Sequence, residues 1–387
     1  MYAPKTKYLI GLILSGLVCI AAGCENRPPR NGMFIQKFPD GNVRLEENYK
    51  DAKRDGLSTE YYADGSINRI FNYSDGKKEG PFKKFYPNGV MHLDGQHKND
   101  QLDGEIREYY DTSALKELVN VKEGKLDGPY TSYHPNGEIS ITGQHINDLK
   151  TGTFKTYYEN KALMREEEFK NGKLDGLTKS YFSDGTVLSV RGFQNGEPHG
   201  AHREYFRDGK MQKLQNYKDG KLDGVVREYY KNGEWKLIQN FKDGLLEGQS
   251  KEFYPSGQLK SKEHYVKGNR LGEVATYHED GSLRGTGQYK YDKLDGPTKA
   301  FNQAGQILVD ATFRENQLIG VTKEFYDDGT LKKIIESNDD QKSSIVREYY
   351  PNGKLRSKNI YDLGELTYSE VYDKQGKLVY QNDPAAK

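Results

Sequence analysis

Three pairs of side chains suggest chemistry most directly: Arg203 with Tyr205, Arg227 with Tyr229, and Lys251 with Phe253. Each sets a cation two residues before an aromatic ring, so on a strand both point to one face. A cation beside a ring can stack or make a cation–π contact with a glycan, a peptide segment or a lipid headgroup. Filling of a solvated face by cross-strand neighbours explains any single pair equally well. The surface taken as a whole is therefore the candidate binding surface. The remaining groups point away from catalysis. His199 and His202 are three apart, face opposite ways on a strand and cannot chelate together. Most aspartates precede a glycine, where tolerance of left-handed backbone and local hydrogen bonding account for them. Neither the calcium loop of helix–loop–helix proteins nor a nine-residue β-helix repeat is present. Glycines are spaced as turns rather than as a phosphate cradle. No Ser/His/Asp set stands apart, so no catalytic residue, metal site or cofactor is expected, and the chain is read as a non-enzyme.

A different chemistry is suggested near the start. Lys5 and Lys7 precede the apolar run Tyr8–Ala22, short for a membrane helix, which needs roughly 20 apolar residues. A charged start and an apolar middle fit a secretory signal. The run ends Ile20-Ala21-Ala22-Gly23-Cys24, which resembles the bacterial lipobox. The resemblance implies a diacylglyceryl group on the Cys24 sulfur, cleavage before Cys24 and acylation of the new amino group. Residues 1–23 are then a signal peptide and 24–31, with Pro28 and Pro29, a stiff tether. The other cysteine, Cys19, falls in the part removed, so the mature chain has neither a disulfide nor a cysteine metal site. This predicts export and a lipid anchor in the cell envelope, in the outer membrane if the cell has one. The membrane is thus one expected partner.

The elements that carry these residues are set by a period. From Gly32 to Gly320 a glycine recurs every 24 residues, and Ser344 takes the next place. Counting that glycine as +0, slot +9 is glycine except at Ser113 and Lys161, and slot +5 is aromatic from Tyr61 to Tyr349. Slot +6 is mostly aromatic and sometimes histidine, as at His134 and His278, and slot +17 likewise, with His97 and His145. Ring substitution within a ladder is the economical reading of those histidines. The chain is only 34% hydrophobic and 30% charged, which excludes one large core. Aromatics in register exclude disorder. Net charge is +1 with the signs mixed, so no nucleic-acid partner is expected.

Asp-Gly or Asn-Gly at +8/+9 and again at +19/+20 predicts two hairpin turns of type I′ per unit. The fold class is therefore all-β: an elongated, twisted antiparallel β-meander of 24-residue, two-stranded repeats over residues 32–367, with 368–387 as cap and tail. Two-residue turns place +6 opposite +11 and +17 opposite +22. One face would then collect +6, +11, +17 and +22 (Tyr230, Trp235, Phe241 and Leu246) as the buried side, leaving +3 and +5 on the wetter side. Gly +0 falls opposite the +17 ring. Phrases such as Asp219 to Gly248 resemble the MORN-variant repeat, found in bacterial proteins of the YwqK-type antitoxin family, over Gly32 to Gly364. That resemblance implies an extended antiparallel array and a partner toxin. The function expected is a non-catalytic, membrane-tethered scaffold that binds a protein or an envelope polymer, with an antitoxin or immunity protein as the alternative.

Overall fold

The computed structural model describes residues 27–337 and 342–382; Cys24, the signal segment, the Asn338-Asp339-Asp340 stretch and residues 383–387 lie outside it. The chain divides into two compact units, Met1–Ser113 and Ala114–Lys387. Each is an antiparallel meander in which every long strand pairs with the long strands next to it in sequence. Strands of the first unit run from Gly32–Lys37 to Gly104–Tyr109, and those of the second from Leu115–Lys122 to Leu378–Asn382. The strand Glu365–Tyr372 crosses the boundary drawn at residue 367, and Leu378–Asn382 adds one more beyond it.

The two turns of each repeat differ in kind. At +19/+20 both residues take positive φ, as at Asp243 (51°) and Gly244 (87°), which is the type I′ geometry expected. Phe241 then pairs with Leu246, as two-residue turns require. At +8/+9 only the glycine does so: Gly233 has φ 97°, and Asn232 is not among the positive-φ residues. The Gly233 amide donates to the Tyr230 carbonyl at 2.9 Å and the Tyr230 amide to the Glu234 carbonyl at 2.8 Å. This is a three-residue loop, a type I turn followed by a left-handed bulge residue.

That extra loop residue overturns the expected facing at the loop end, for +6 and +11, while the bulge restores the expected register beyond it, with Gly224 opposite Phe241. Tyr229 at +5, not Tyr230 at +6, pairs with Trp235 at +11, and a bulge separates this pair from Glu228–Leu237. A shift of one residue turns a side chain to the opposite face. Trp235, expected in the interior, is 49% exposed, while Phe253 stays on the face of the +3 cations and is nevertheless only 9% exposed. The most buried layer lies at +2 and +15, on the face that +17 shares. In the second unit it includes Val119, Tyr130, Phe154, Val226 and Ala311; in the first, Phe71, Phe82 and Ile106. Large and small alternate there, as close packing demands. A Cβ on Gly143 would fall 2.3 Å from the Phe154 ring, so the glycine makes room for that side chain.

The period glycine also has a packing cause. Gly224 pairs with Phe241 as expected, and has φ 103°. Its preceding pairing slips: Tyr217 faces Leu222 while Leu214 faces Arg227, so the residues around Gly224 bulge out of the ladder. The Asn216 amide donates to the freed Val225 carbonyl at 2.8 Å, and Asn48, Asn72 and Asn240 do the same one or more repeats away. Slot +6 supplies a second tie. Tyr158 donates its hydroxyl to the Tyr181 carbonyl at 2.9 Å, and Tyr230 to that of Phe253 at 2.9 Å. His134 and His278 place a ring nitrogen 3.0 and 3.1 Å from the equivalent carbonyls, which explains why a histidine can replace a tyrosine there.

Candidate binding surface

The register brings the six candidate residues into two adjacent rows within the second unit. Arg203 pairs with Leu214, Leu214 with Arg227, Arg227 with Ile238, and Ile238 with Lys251, which in turn pairs with Lys262. Directly paired residues share a face, so the cations Arg203, Arg227 and Lys251 alternate with aliphatic side chains along one row. Two strand spacings separate successive cations, about 10 Å. Among the described residues none of the three forms an ion pair, and all three are half-buried. Their stems lie over aliphatic neighbours while the charged ends reach water.

The second row is aromatic. Tyr205 pairs with Met211, Tyr229 with Trp235 and Phe253 with Leu259. Trp235 meets Phe253 edge-on, ring centres 5.8 Å apart. Alternation along each strand puts the rings of Tyr205, Tyr229 and Phe253 beside the cations. Sequence reasoning missed Trp235 and Met211, which join them once the loop is seen to hold three residues. The signal available was the tryptophan itself, the only one in the chain.

Next to Tyr229 lies a cleft of about 470 Å³, lined by Glu204, Phe206, Lys213, Glu228, Tyr230 and Lys236 among others. Glu228 receives Lys213 Nζ at 3.0 Å and Lys236 Nζ at 3.2 Å. Burial works against ionisation here, but these two hydrogen bonds hold the Glu228 carboxyl below its ordinary range. Glu228 is thus satisfied by two lysines of the cleft, in contrast to the cation row.

The histidines are held as rings. His97 lies 4.5 Å from Phe82 and 5.7 Å from Phe71, centre to centre, and His145 packs edge-on against Tyr130 and Phe154. Burial, reinforced by Lys78 and Lys84, pushes the His97 imidazole down to about 4, so it is neutral at ordinary pH. The His202 ring nitrogen lies 2.7 Å from the Gly192 carbonyl. Among the described residues no three histidine, cysteine, aspartate or glutamate side chains gather as metal ligands would.

A repeat family described as MORN repeat variant matches ten stretches: residues 54–75, 78–99, 126–147, 150–171, 198–219, 222–243, 246–267, 270–291, 318–339 and 344–362. Together they make up more than half of the 387 residues. No curated protein matches the chain. Solved structures that align with it include "Crystal Structure of TcdB2-TccC3-Cdc42", at 11% identity and TM-score 0.15, covering 86% of this chain and 25% of that one. Another is the "Structure of Photorhabdus luminescens Tc holotoxin pore, Mutation TccC3-D651A", at 10% identity and TM-score 0.16, covering 92% and 24%. The chain spans about a quarter of the length of the solved chains it matches.

Proposed function

We propose a function from one premise: the chain belongs to the MORN repeat variant family. Repeats of this kind are scaffolds whose regular faces hold partners. The reading is a non-catalytic binding scaffold, exported and tethered through lipid on Cys24, that holds a protein or an envelope polymer against the second unit. The observation that carries it is the row of Arg203, Arg227 and Lys251. Three half-buried cations that form no ion pair among the described residues, beside Tyr205, Tyr229 and the exposed Trp235, leave charge and aromatic surface unspoken for. Water solvates them in the free chain; a partner with acidic groups near 10 Å spacing would exchange that water for charge-assisted hydrogen bonds.

The test is capture of partners from envelope extracts with the intact chain and with a variant carrying R203A, R227A and K251A together. A partner retained by the intact chain and released by the triple variant supports the reading. Equal capture by both moves the binding surface elsewhere. The tether is tested separately: Cys24→Ser should release the chain from membranes, and unchanged membrane association would reject lipidation. An immunity role against a partner toxin is the alternative use of the same surface. It calls for a neighbouring gene whose product kills only when this chain is deleted.

A further inference from the structure

The first unit carries a concave site of its own, more strongly charged than the cation row. A cleft of about 230 Å³ is lined by Arg44, Arg54, Arg69, Lys78, Glu47 and Glu60, over the rings of Phe71 and Tyr73. Its acids are already engaged. Glu47, 3% exposed, accepts Arg54 Nε at 2.8 Å, the Tyr49 hydroxyl at 2.8 Å and the Ser58 hydroxyl at 3.4 Å. Glu60 is held by the Arg69 guanidinium through two of its nitrogens. Two cations form no side-chain ion pair among the described residues, although Asp100 Oδ1 accepts the Lys78 backbone amide at 2.8 Å and its charge favours the ammonium. Arg44 forms no ion pair among the described residues, and Lys78 Nζ sits on the Phe71 ring, 4.4 Å from its centre. Four basic side chains thus face two acidic ones that are both committed.

The surroundings sharpen this excess. Lys84 pairs with Arg69 across the strands, adding a further cation beside the cleft. Burial and the Arg69 charge lower the Lys78 ammonium from its ordinary value, and burial, Arg69 and Lys78 do the same to Lys84. His97, packed on Phe71 and Phe82, stays neutral. Like charges crowded at a partly dry site are unfavourable, and an anion between them would relieve the repulsion. The sequence marks the place. Slot +22 is most often leucine, as at Leu102, Leu126 and Leu174; Lys150, Arg270 and Lys342 also carry a cation there, but only Arg54 and Lys78 do so in successive repeats, and slot +4 is lysine only at Lys84.

We propose that the cleft formed by Arg44, Arg54, Arg69 and Lys78 binds an oxyanion, a carboxylate or a phosphate group on a hydrophilic ligand of about monosaccharide size. Guanidinium N–H groups not used by Glu47 and Glu60 supply the planar donor fork that suits either group. The ring faces are not open for stacking, because Arg54 covers Tyr73 at 5.2 Å and Lys78 covers Phe71. The ligand is therefore recognised by charge rather than by apolar contact. The volume falls below the usual range for large ligands, roughly 300–1,000 Å³, and suits a single charged group with a small polar body.

Titration calorimetry of the full chain at fixed ionic strength tests this, with glucuronate as the carboxylate probe and glucose 6-phosphate as the phosphate probe. One-to-one binding of either is expected, and the stronger probe identifies the group. K78L installs the residue that other repeats carry at that slot, so it should fold; an unchanged strand circular-dichroism signal checks this. K78L should weaken binding about tenfold or more, as loss of one charge-assisted contact does. K150L, which removes the cation from the same slot in the second unit, should leave binding unchanged. If K78L does not fold, R44A takes its place, since Arg44 makes no ion pair to lose. No binding of either probe overturns the proposal, as does binding that survives K78L or R44A, or falls equally in K150L.

Discussion

At Lys161 the backbone has φ 72°, in the left-handed region that glycine occupies at the same slot of other repeats. A Cβ there costs roughly 1–2 kcal/mol, partly offset because glycine loses more freedom on folding. Lys161→Gly should therefore stabilise the second unit by about 0.5–1 kcal/mol in urea unfolding. A loss of stability would mean that the Lys161–Glu138 ion pair at 3.0 Å outweighs the strain. His97 makes a pH prediction. Its folded value of about 4 lies below the ordinary value of 6.5, because burial and nearby lysines favour the neutral ring. Between those values the unfolded chain binds more protons, so stability rises with pH there. The contribution is complete above about 6.5 and is lost as pH falls toward 4. A His97 proton-resonance titration with a midpoint near 4 is expected, and a midpoint near 6.5 would show the ring open to water. His97→Phe, which restores an aromatic ring, should flatten this part of the stability profile.

At the scale of the hairpin, one loop residue decided which way the loop-end side chains face, Tyr229 and Trp235 among them. Asn-Gly and Asp-Gly read alike in sequence, yet Asp243-Gly244 forms the two-residue turn and Asn232-Gly233 the bulged one. The difference lies in the hydrogen bonds that close each loop: the Tyr230 amide reaches the Glu234 carbonyl only if three residues form the turn. The slot +6 ring then stands at the turn and ties its hairpin to the next. Tyr158→Phe removes the hydroxyl that serves the Tyr181 carbonyl at 2.9 Å and should cost about 0.5–1.5 kcal/mol. Tyr158→His should cost less, because His134 and His278 keep this contact with a ring nitrogen. Denaturant unfolding of the two variants compares them directly. Equal losses would show that the ring packs there without the hydrogen bond mattering.

At the scale of the whole chain, stability comes from neighbour upon neighbour. Within each unit the long strands pair with the long strands next in sequence, and the described core is mostly +2 and +15 side chains, many of them polar, such as Ser58, Thr178, Ser250 and Thr322. Such arrays are close to one-dimensional, with energies that add along the chain. Excising residues 200–223, one full period within the second unit, joins His199 to Gly224 in the register that Gly200 now holds. The shortened chain should keep its strand circular-dichroism spectrum and unfold cooperatively. Collapse of that spectrum would show coupling beyond nearest neighbours.

Much of this was legible before any coordinates. The 24-residue spacing set the repeat, the Asp-Gly pairs at +19/+20 set one turn, and Gly224 opposite Phe241 resulted from both, because hairpin register is local and period-2 alternation is rigid. The pairing of Arg227 with Tyr229 on one face was read from the same alternation. Sequence alone misjudges the second turn, expected as type I′ with two residues and found with three, since its loop length depends on hydrogen bonds that dipeptide identity does not specify. Three-dimensional pairing alone moved Trp235 out to join that face and put Phe154 against Gly143. It also gathered Arg44, Arg54, Arg69 and Lys78, spread over 35 residues of chain, around two carboxylates that cannot balance them all. Periodicity determines which residues recur; only the strands laid side by side determine which of them meet.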